Sequence, residues 1–312
     1  MRARLQTPSG DGLKPSFQPP HLWSGVVLAA VGSVAFSGKA IIVKLAYRHG
    51  VDATTLIMLR MLFALPFFAC LAWWGGRGKP KLTRQEFAAV LSLGFSGYYL
   101  ASFLDFVGLS YISASLERLI LYLNPTFVLC LGWLLYRRGI GAPQIGGMAL
   151  SYLGVLLVFG HEIHRQGSHT VLGALFVLGS AISYAFYISF SGVWVHRLGA
   201  LRLVGWATTV ACVLCLAQFL VLRPFALPQV APAVVWLSVC NAIFCTAVPV
   251  LLMMLAIERI GAGLAAQVGM LGPMSTLFLG VLFLDEGLTA WVVAGTVLVL
   301  LGIFVFSRGK FG

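Results

Sequence analysis

The stretch LLYRRGIGAPQIGGMALSYLGVLL (residues 134–157) and the later LFLDEGLTAWVVAGTVLVLLGIFV (residues 282–305) align without a gap at a shift of 148 residues. Leu134, Gly139, Gly147, Leu150, Leu153 and Gly154 fall on Leu282, Gly287, Gly295, Leu298, Leu301 and Gly302. Arg137 and Arg138 fall instead on Asp285 and Glu286. One unit occurs twice, with its glycines kept and its loop charge reversed. The register holds away from this stretch as well. Gly25 meets Gly173, Ile112 meets Ile260, Ala114 meets Ala262, Leu116 meets Leu264, Pro125 meets Pro273 and Gly132 meets Gly280.

The 312 residues are 60% hydrophobic and only 10% charged, against about 25% charged in a soluble domain. Apolar runs of about 20 residues recur along the chain, each long enough to cross a hydrocarbon core of roughly 30 Å as a helix. Backbone groups in lipid must bond internally, which leaves helices or closed barrels. Barrel strands would alternate in segments of ~10 residues, and these runs do not alternate. Ten spans are expected, at about 23–47, 54–74, 86–108, 115–136, 142–160, 171–194, 202–222, 233–256, 263–284 and 289–307. The expected fold is an all-α integral membrane protein whose ten transmembrane helices form two inverted five-helix repeats. Its expected parts are a disordered cytosolic tail (1–21), a first repeat (22–160), an outward-facing linker (161–170), a second repeat (171–307) and a cytosolic C-terminus (308–312).

The inversion follows from charge. A net +12 would suggest nucleic acid in a soluble protein. Here the basic residues sit between apolar runs and act as topology signals, so no nucleic-acid partner is expected. With the N-terminus in the cytosol, inner segments hold fourteen Lys and Arg, outer segments hold Arg48, Arg165 and Arg223, and four lie within spans. This bias places both termini in the cytosol of an inner (cytoplasmic) membrane. Five spans per repeat is an odd number, so the second copy enters upside down. The Arg137–Arg138 loop faces inward and its Asp285–Glu286 counterpart outward. The glycines persist because they allow close helix packing whichever way the unit points. Secondary transporters use this construction, with the substrate near the midplane between repeats.

The six cysteines all fall in apolar runs, Cys212 and Cys215 with CxxC spacing on one embedded helix. We read them as small packing residues. No metal-ligand spacing, P-loop or GxSxG occurs, so neither a cofactor nor enzymatic activity is expected. A membrane-embedded enzyme or a non-transporting scaffold is the alternative from another class. The enzyme would need a nucleophile with a base, or a metal constellation. The only carboxylates within spans are Asp105 and Glu117.

Ionisable groups inside a span cost about 2.5–3.5 kcal/mol each on insertion scales, so they face a cavity or a partner. Lys39, Lys44, Arg60, Asp105, Glu117 and Arg118 all lie in the outward half of the first repeat. Their counterparts are Tyr187, Gly192, Thr208, Met253, Ala265 and Ala266, none of them charged. The functional reading is a basic site that holds or gates a carboxylate, built from Lys39, Arg60, Glu117 and Arg118. Asp105 and Glu117 are the candidates for proton coupling. The structural reading has Lys44 snorkelling and Arg60 tying spans one and two. Tyr99, Tyr122, Asn124, Tyr184, Asn241 and Gln267 would furnish the rest of the cavity, with Phe36, Tyr98, Phe103 and Tyr187. Such a wall suits an apolar or aromatic metabolite, although most aromatic residues in a chain like this serve packing or the interfacial belt. Pro125 and Pro273 each remove a backbone hydrogen bond, and paired breaks in corresponding helices point to the midplane site.

Several stretches carry a family resemblance. They are SGKAIIVKLAYRHG at 37–50, TLIMLRMLFALP at 55–66, the prolines in LYLNPTFVLCLGWLL and GMLGPMSTLFLGVLF, and the closing LDEGLTAWVVAGTVLVLLGIFVF. Over roughly residues 22–307 the chain resembles the EamA-type transporters of the drug/metabolite transporter superfamily. Lys44 and Arg60 match that family's basic positions in spans one and two. The chain departs from it after span four, where Arg137–Arg138 stand in place of a frequent Glu. The resemblance implies a secondary transporter of small organic metabolites such as amino acids, often outward. Its partners would be the substrate, the lipid bilayer and, under the coupling reading, protons. The sequence sets no oligomeric state. The alternatives are an organic-anion or phosphate-ester exchanger, with Lys39, Lys44 and Arg60 as a phosphate clamp, and, less favoured, a cationic-drug exporter.

Overall fold

The computed structural model describes residues 19–136, 141–166, 169–223, 230–269, 271–285, 287 and 289–307. Among these the chain is helical, with no strand. The helices are α1 (Pro19–Tyr47), α2 (Ala53–Gly76), α3 (Arg84–Leu93), α4 (Ala101–Leu109), α5 (Ala114–Leu121), α6 (Asn124–Tyr136), α7 (Ala142–Gln166), α8 (His169–Leu198), α9 (Ala200–Leu222), α10 (Pro232–Ala242), α11 (Val248–Gly269), α12 (Leu271–Leu284) and α13 (Ala290–Ser307). Among the described residues eight stretches are long and apolar enough to cross a membrane, and Ser275–Leu284 and Ala290–Val305 are shorter apolar helices. Leu134, Leu153, Leu220, Val221 and Trp236 are more than half exposed on the outside of the bundle, the surface that lipid covers. Trp23, Trp73 and Trp74 are exposed near helix ends, where an interfacial belt belongs.

Local sequence explains the helix starts. Asp52 caps α2 by accepting from the Thr55 amide. Thr83 and Glu86 form a reciprocal capping box on α3. Ser113 accepts from the Leu116 amide at the start of α5. Each satisfies an amide that the first turn leaves unpaired.

The boundaries depart from the sequence reading in four places. α7 runs to Gln166 and α8 starts at His169, so most of the expected 161–170 linker is helical and takes in His161, His164 and His169. α11 runs through 257–262, where a loop between spans eight and nine was expected. α1 begins at Pro19, inside the expected tail, whose residues 1–18 lie outside the described residues, as do Arg137, Arg138, Glu286 and 308–312. Span four is two helices, with turns at Tyr122 and Leu123 before Pro125. α11 gives way to α12 at the corresponding place, between Gly269 and Leu271.

Periodicity also missed two π-helical segments, Gly94–Leu100 between α3 and α4 and Ile243–Ala247 between α10 and α11. At the 148-residue shift the first falls on 242–248 and takes in the second. Each inserts a wide turn into a long helix, a feature common at functional sites.

The halves pack through matched contacts. In the α7–α13 pair, a Cβ at Gly154 would lie 2.5 Å from the Gly295 carbonyl, and one at Gly302 would lie 2.6 Å from the Gly147 carbonyl. Gly147 therefore faces Gly302 and Gly154 faces Gly295, so the two helices are antiparallel. Each glycine meets the counterpart of the other. Ser151 approaches the carbonyl of Val299, its own counterpart, at 3.5 Å. The α1–α11 and α4–α8 pairs show the same exchange. Gly25 abuts Ile260, and its counterpart Gly173 abuts Ile112, just past the end of α4. α2 and α9 close through Gly205 against Ala72 and Gly75 against Arg202. These exchanged contacts are those of a self-complementary, two-fold interface.

Candidate substrate-binding site

Two adjoining cavities of about 330 and 370 Å³ lie where the halves meet, in the size range of small-molecule sites. Phe36, Tyr98, Arg118, Tyr122, Tyr184 and Val250 line both. The first also takes in Lys39, Arg60, Asp105, Asn124 and Thr246. The second extends past Ser33, Ser37, Tyr187, Met253 and Gly272.

One wall is ionic. Lys39 on α1 is 2.5 Å from Asp105 on α4 and 3.5 Å from Glu117 on α5. All three are buried, Glu117 completely. Arg118 reaches Glu117 only at 4.0 Å. Their adjacency in sequence gives no tight pair, because neighbours on a helix point about 100° apart. The Arg118 guanidinium lies 5.6 Å from the Phe36 ring centre, and Lys39 lies at the same distance on that ring. The Phe36 ring thus attracts both cations.

Arg60 stands apart from this cluster. Its Nε donates to Thr246 Oγ1 at 3.0 Å, and Thr246 donates to the Asn241 carbonyl at 2.9 Å. That carbonyl belongs to the residue five before Thr246, the spacing of a π turn. The wide turn in the second half therefore fixes an arginine of the first half. The guanidinium also lies 5.1 Å from the Phe106 ring centre. Among the described residues Arg60 makes no bond to span one, contrary to the tie expected from sequence; its hydroxyl partner comes from between α10 and α11.

The opposite wall is aromatic. Tyr98 and Tyr187 meet edge to face with ring centres 5.0 Å apart and hydroxyl oxygens 3.2 Å apart. Tyr184 stacks on Tyr187 at 5.6 Å. A Cβ at Gly97 would overlap the Tyr187 ring, so the aromatic wall requires a glycine there. Below it, Ser37 Oγ lies 2.8 Å from the carbonyls of both Ser33 and Gly272, joining α1 to α12.

The sequence candidates divide accordingly. Lys39, Arg60, Arg118, Tyr122, Asn124 and Tyr184 line the cavity, as does Asp105. Glu117 is fully buried behind Lys39. Tyr99 is not on either wall; it packs against the α2–α9 core and the Phe95 ring. Asn241 is buried beside the cavity and contributes its carbonyl to Thr246. The Gln267 side chain lies outside the described residues. Lys44 lines neither cavity. Thr246 was missed: a lone threonine in an apolar run carries no signal, except that it is the counterpart of Tyr98.

A polytopic helical bundle with a central cavity, ionic on one wall and aromatic on the other, has the form of a membrane transporter rather than an enzyme. The EamA-like transporter family matches the chain twice, over residues 23–160 and 171–308. The chain belongs to this family, within the drug/metabolite transporter superfamily. It is 30% identical over 276 residues to the uncharacterized transporter YcbK of Bacillus subtilis, covering 85% of this chain and 86% of that one. It is 23% identical over 304 residues to the WAT1-related protein At1g44800 of Arabidopsis thaliana, covering 88% and 82%. A solved structure described as a crystal structure of protein superposes with a TM-score of 0.63 at 17% identity, over 93% of this chain and all of the other. That likeness concerns the fold.

Proposed function

We propose that this protein is a secondary transporter that moves small organic metabolites such as amino acids outward by alternating access. Ten spans would form two inverted repeats, with both termini in the cytosol. One observation carries the reading: the cavity lies where the halves meet, walled by a charged cluster from the first and by tyrosines drawn from both.

The antiparallel α7–α13 pair supports the inversion. Two rocking units need two closures, one for each side of the membrane. The Lys39–Asp105–Glu117 cluster ties α1, α4 and α5 together, and the Tyr47 hydroxyl donates to the Phe106 carbonyl at 2.5 Å. This closes the outward half. The counterparts of the three cluster residues are Tyr187, Met253 and Ala265, which have no charges with which to make the same tie. The arrangement favours access from the cytosol, as an exporter requires for loading.

The charge count favours a zwitterion over a phosphate ester. The Lys39 ammonium is already flanked by two carboxylates, and Lys44 is not on either wall. Counterflow in liposomes reconstituted with the full chain tests the choice. Amino acids are expected to exchange and sugar phosphates not; the reverse would replace this reading with the anion exchanger.

Proton coupling rests on the same cluster. Asp105 and Glu117 share one ammonium, so a proton on either carboxylate leaves Lys39 with the other. Uptake driven by an imposed pH gradient is expected to lose its gradient dependence in Asp105→Asn or Glu117→Gln. Unchanged dependence in both would end the coupling proposal. Topology is tested separately: Gly141→Cys and Ser168→Cys, each in a cysteine-free background, should label from opposite sides of the bilayer.

A further inference from the structure

The cavity holds more cationic groups than its carboxylates can neutralise. Lys39 has Asp105 and Glu117, and Arg118 sits at the edge of Glu117's reach. Those four sum to zero. Arg60 is the remaining buried cation on the cavity wall, 4% exposed. No carboxylate lies within salt-bridge distance of it among the described residues, and its Nη1 has no hydrogen-bond partner. Its Nε bond to Thr246 fixes the plane of the fork. In the same lining, Asp105 gives Oδ2 to Lys39 and leaves Oδ1 buried without a partner. The lining thus offers unused donors on two cations, Arg60 Nη1 and Arg118 Nε, and an unused acceptor on a carboxylate, Asp105 Oδ1; of the two cations, Arg118 has Glu117 within 4.0 Å and Arg60 has no carboxylate that near among the described residues. A buried donor or acceptor left unmade is costly, and more so for a charged group.

We infer that Arg60, oriented by Thr246, receives the carboxylate of the transported molecule and that Asp105 Oδ1 receives its ammonium, which makes this pair the head-group seat for a zwitterion. The inference rests on the transporter reading and specifies where its substrate docks. Arg60 is suited to the role because a guanidinium presents parallel N–H groups that match a carboxylate. Thr246 is a positioning residue: it holds Arg60 and need not touch the substrate. The tyrosine wall then faces the side chain, which leaves selection of the head group to the first half.

The test uses the full chain in detergent or nanodiscs, with ligand-induced thermal shift and isothermal titration. The probes are the twenty standard amino acids, each with its methyl ester and its deaminated acid. The native protein is expected to bind at least one amino acid and to bind its ester and its deaminated acid roughly 10- to 100-fold more weakly. Arg60→Gln should remove the preference for acid over ester while binding of the ester stays near the native value. Thr246→Val should weaken amino-acid binding by about 3- to 10-fold, and Thr246→Ser should restore it. If Arg60→Gln does not purify, Arg60→Lys and the two Thr246 variants carry the test through the same acid-to-ester ratio. If Arg60 is only a structural tie, its variants will lower the melting temperature of the unliganded protein and leave that ratio unchanged, which overturns the inference. An equal affinity for the amino acid and its deaminated acid removes Asp105 from the seat. Binding of no amino acid by the native protein overturns the substrate reading itself, a result distinct from either.

Discussion

The two walls of the cavity occupy corresponding places in the two halves and solve different problems. Lys39 corresponds to Tyr187, Tyr98 to Thr246, Arg60 to Thr208, Asp105 to Met253 and Phe36 to Tyr184. Where the first half sets an ammonium between two carboxylates, the second sets stacked tyrosines. The packing glycines, by contrast, hold their places in both: Gly25 and Gly173, Gly147 and Gly295, Gly154 and Gly302. Close helix approach is needed on both sides of a two-fold contact, so it constrains both copies alike. A binding site off the axis needs each function only once. A zwitterion also needs unlike ends, which a symmetric cavity would not provide.

The comparison can be broken most severely at Lys39. Lys39→Met leaves Asp105 buried without its cation and Glu117 with only Arg118 at 4.0 Å, and removing one partner of such a group costs about 3–5 kcal/mol. Loss of transport and a lowered melting temperature are expected, measured by counterflow and thermal denaturation. Lys39→Met with Asp105→Asn should recover part of the stability but not the transport. Full stability in the single variant would mean that the cluster is not the closure proposed above.

Gly97→Ala attacks the opposite wall. The added Cβ meets the Tyr187 ring, and overpacking costs about 1–3 kcal/mol. Binding should weaken while the ionic wall is intact, so the preference for acid over ester should survive. Tyr98→Phe is milder. It removes the hydroxyl contact to Tyr187 at 3.2 Å, worth about 0.5–1.5 kcal/mol, and should weaken binding by a few-fold in titration. The smallest effect belongs to Asp52→Asn, at the half-exposed pair with Arg223 at 3.2 Å. Exposed pairs contribute about 0–1 kcal/mol, so melting temperature and transport should stay close to native. A large effect there would place the proposed gate at the α2–α9 end instead of at the Lys39 cluster.

Much of the cavity's lining was legible because burying a charge in an apolar span demands a reason. Lys39, Arg60, Asp105, Glu117 and Arg118 could be singled out from sequence on that ground, and they do gather on or behind one wall. Tyr122, Asn124 and Tyr184 were found for a weaker reason, as polar or aromatic residues near the middle of spans. The same reasoning brought in Tyr99, which packs into the α2–α9 core, because a tyrosine's apolar body suits a core as well as a cavity. Asn124 and Asn241 illustrate the limit: both are mid-span amides, and only Asn124 reaches the wall.

The chain's apolar runs, its 148-residue repeat and its lysine–arginine bias determined by themselves that it is a helical membrane protein of duplicated construction. Those features follow from lipid, which tolerates neither unpaired backbone nor stray charge and so writes its demands directly into composition. Tertiary structure alone decided that Lys39 is held by two carboxylates, that Arg60 answers to Thr246, and that the long helices carry π turns at matching points. Such pairings join side chains scores of residues apart, and a hydrogen bond or an extra residue in a turn depends on distances and angles that no periodicity records.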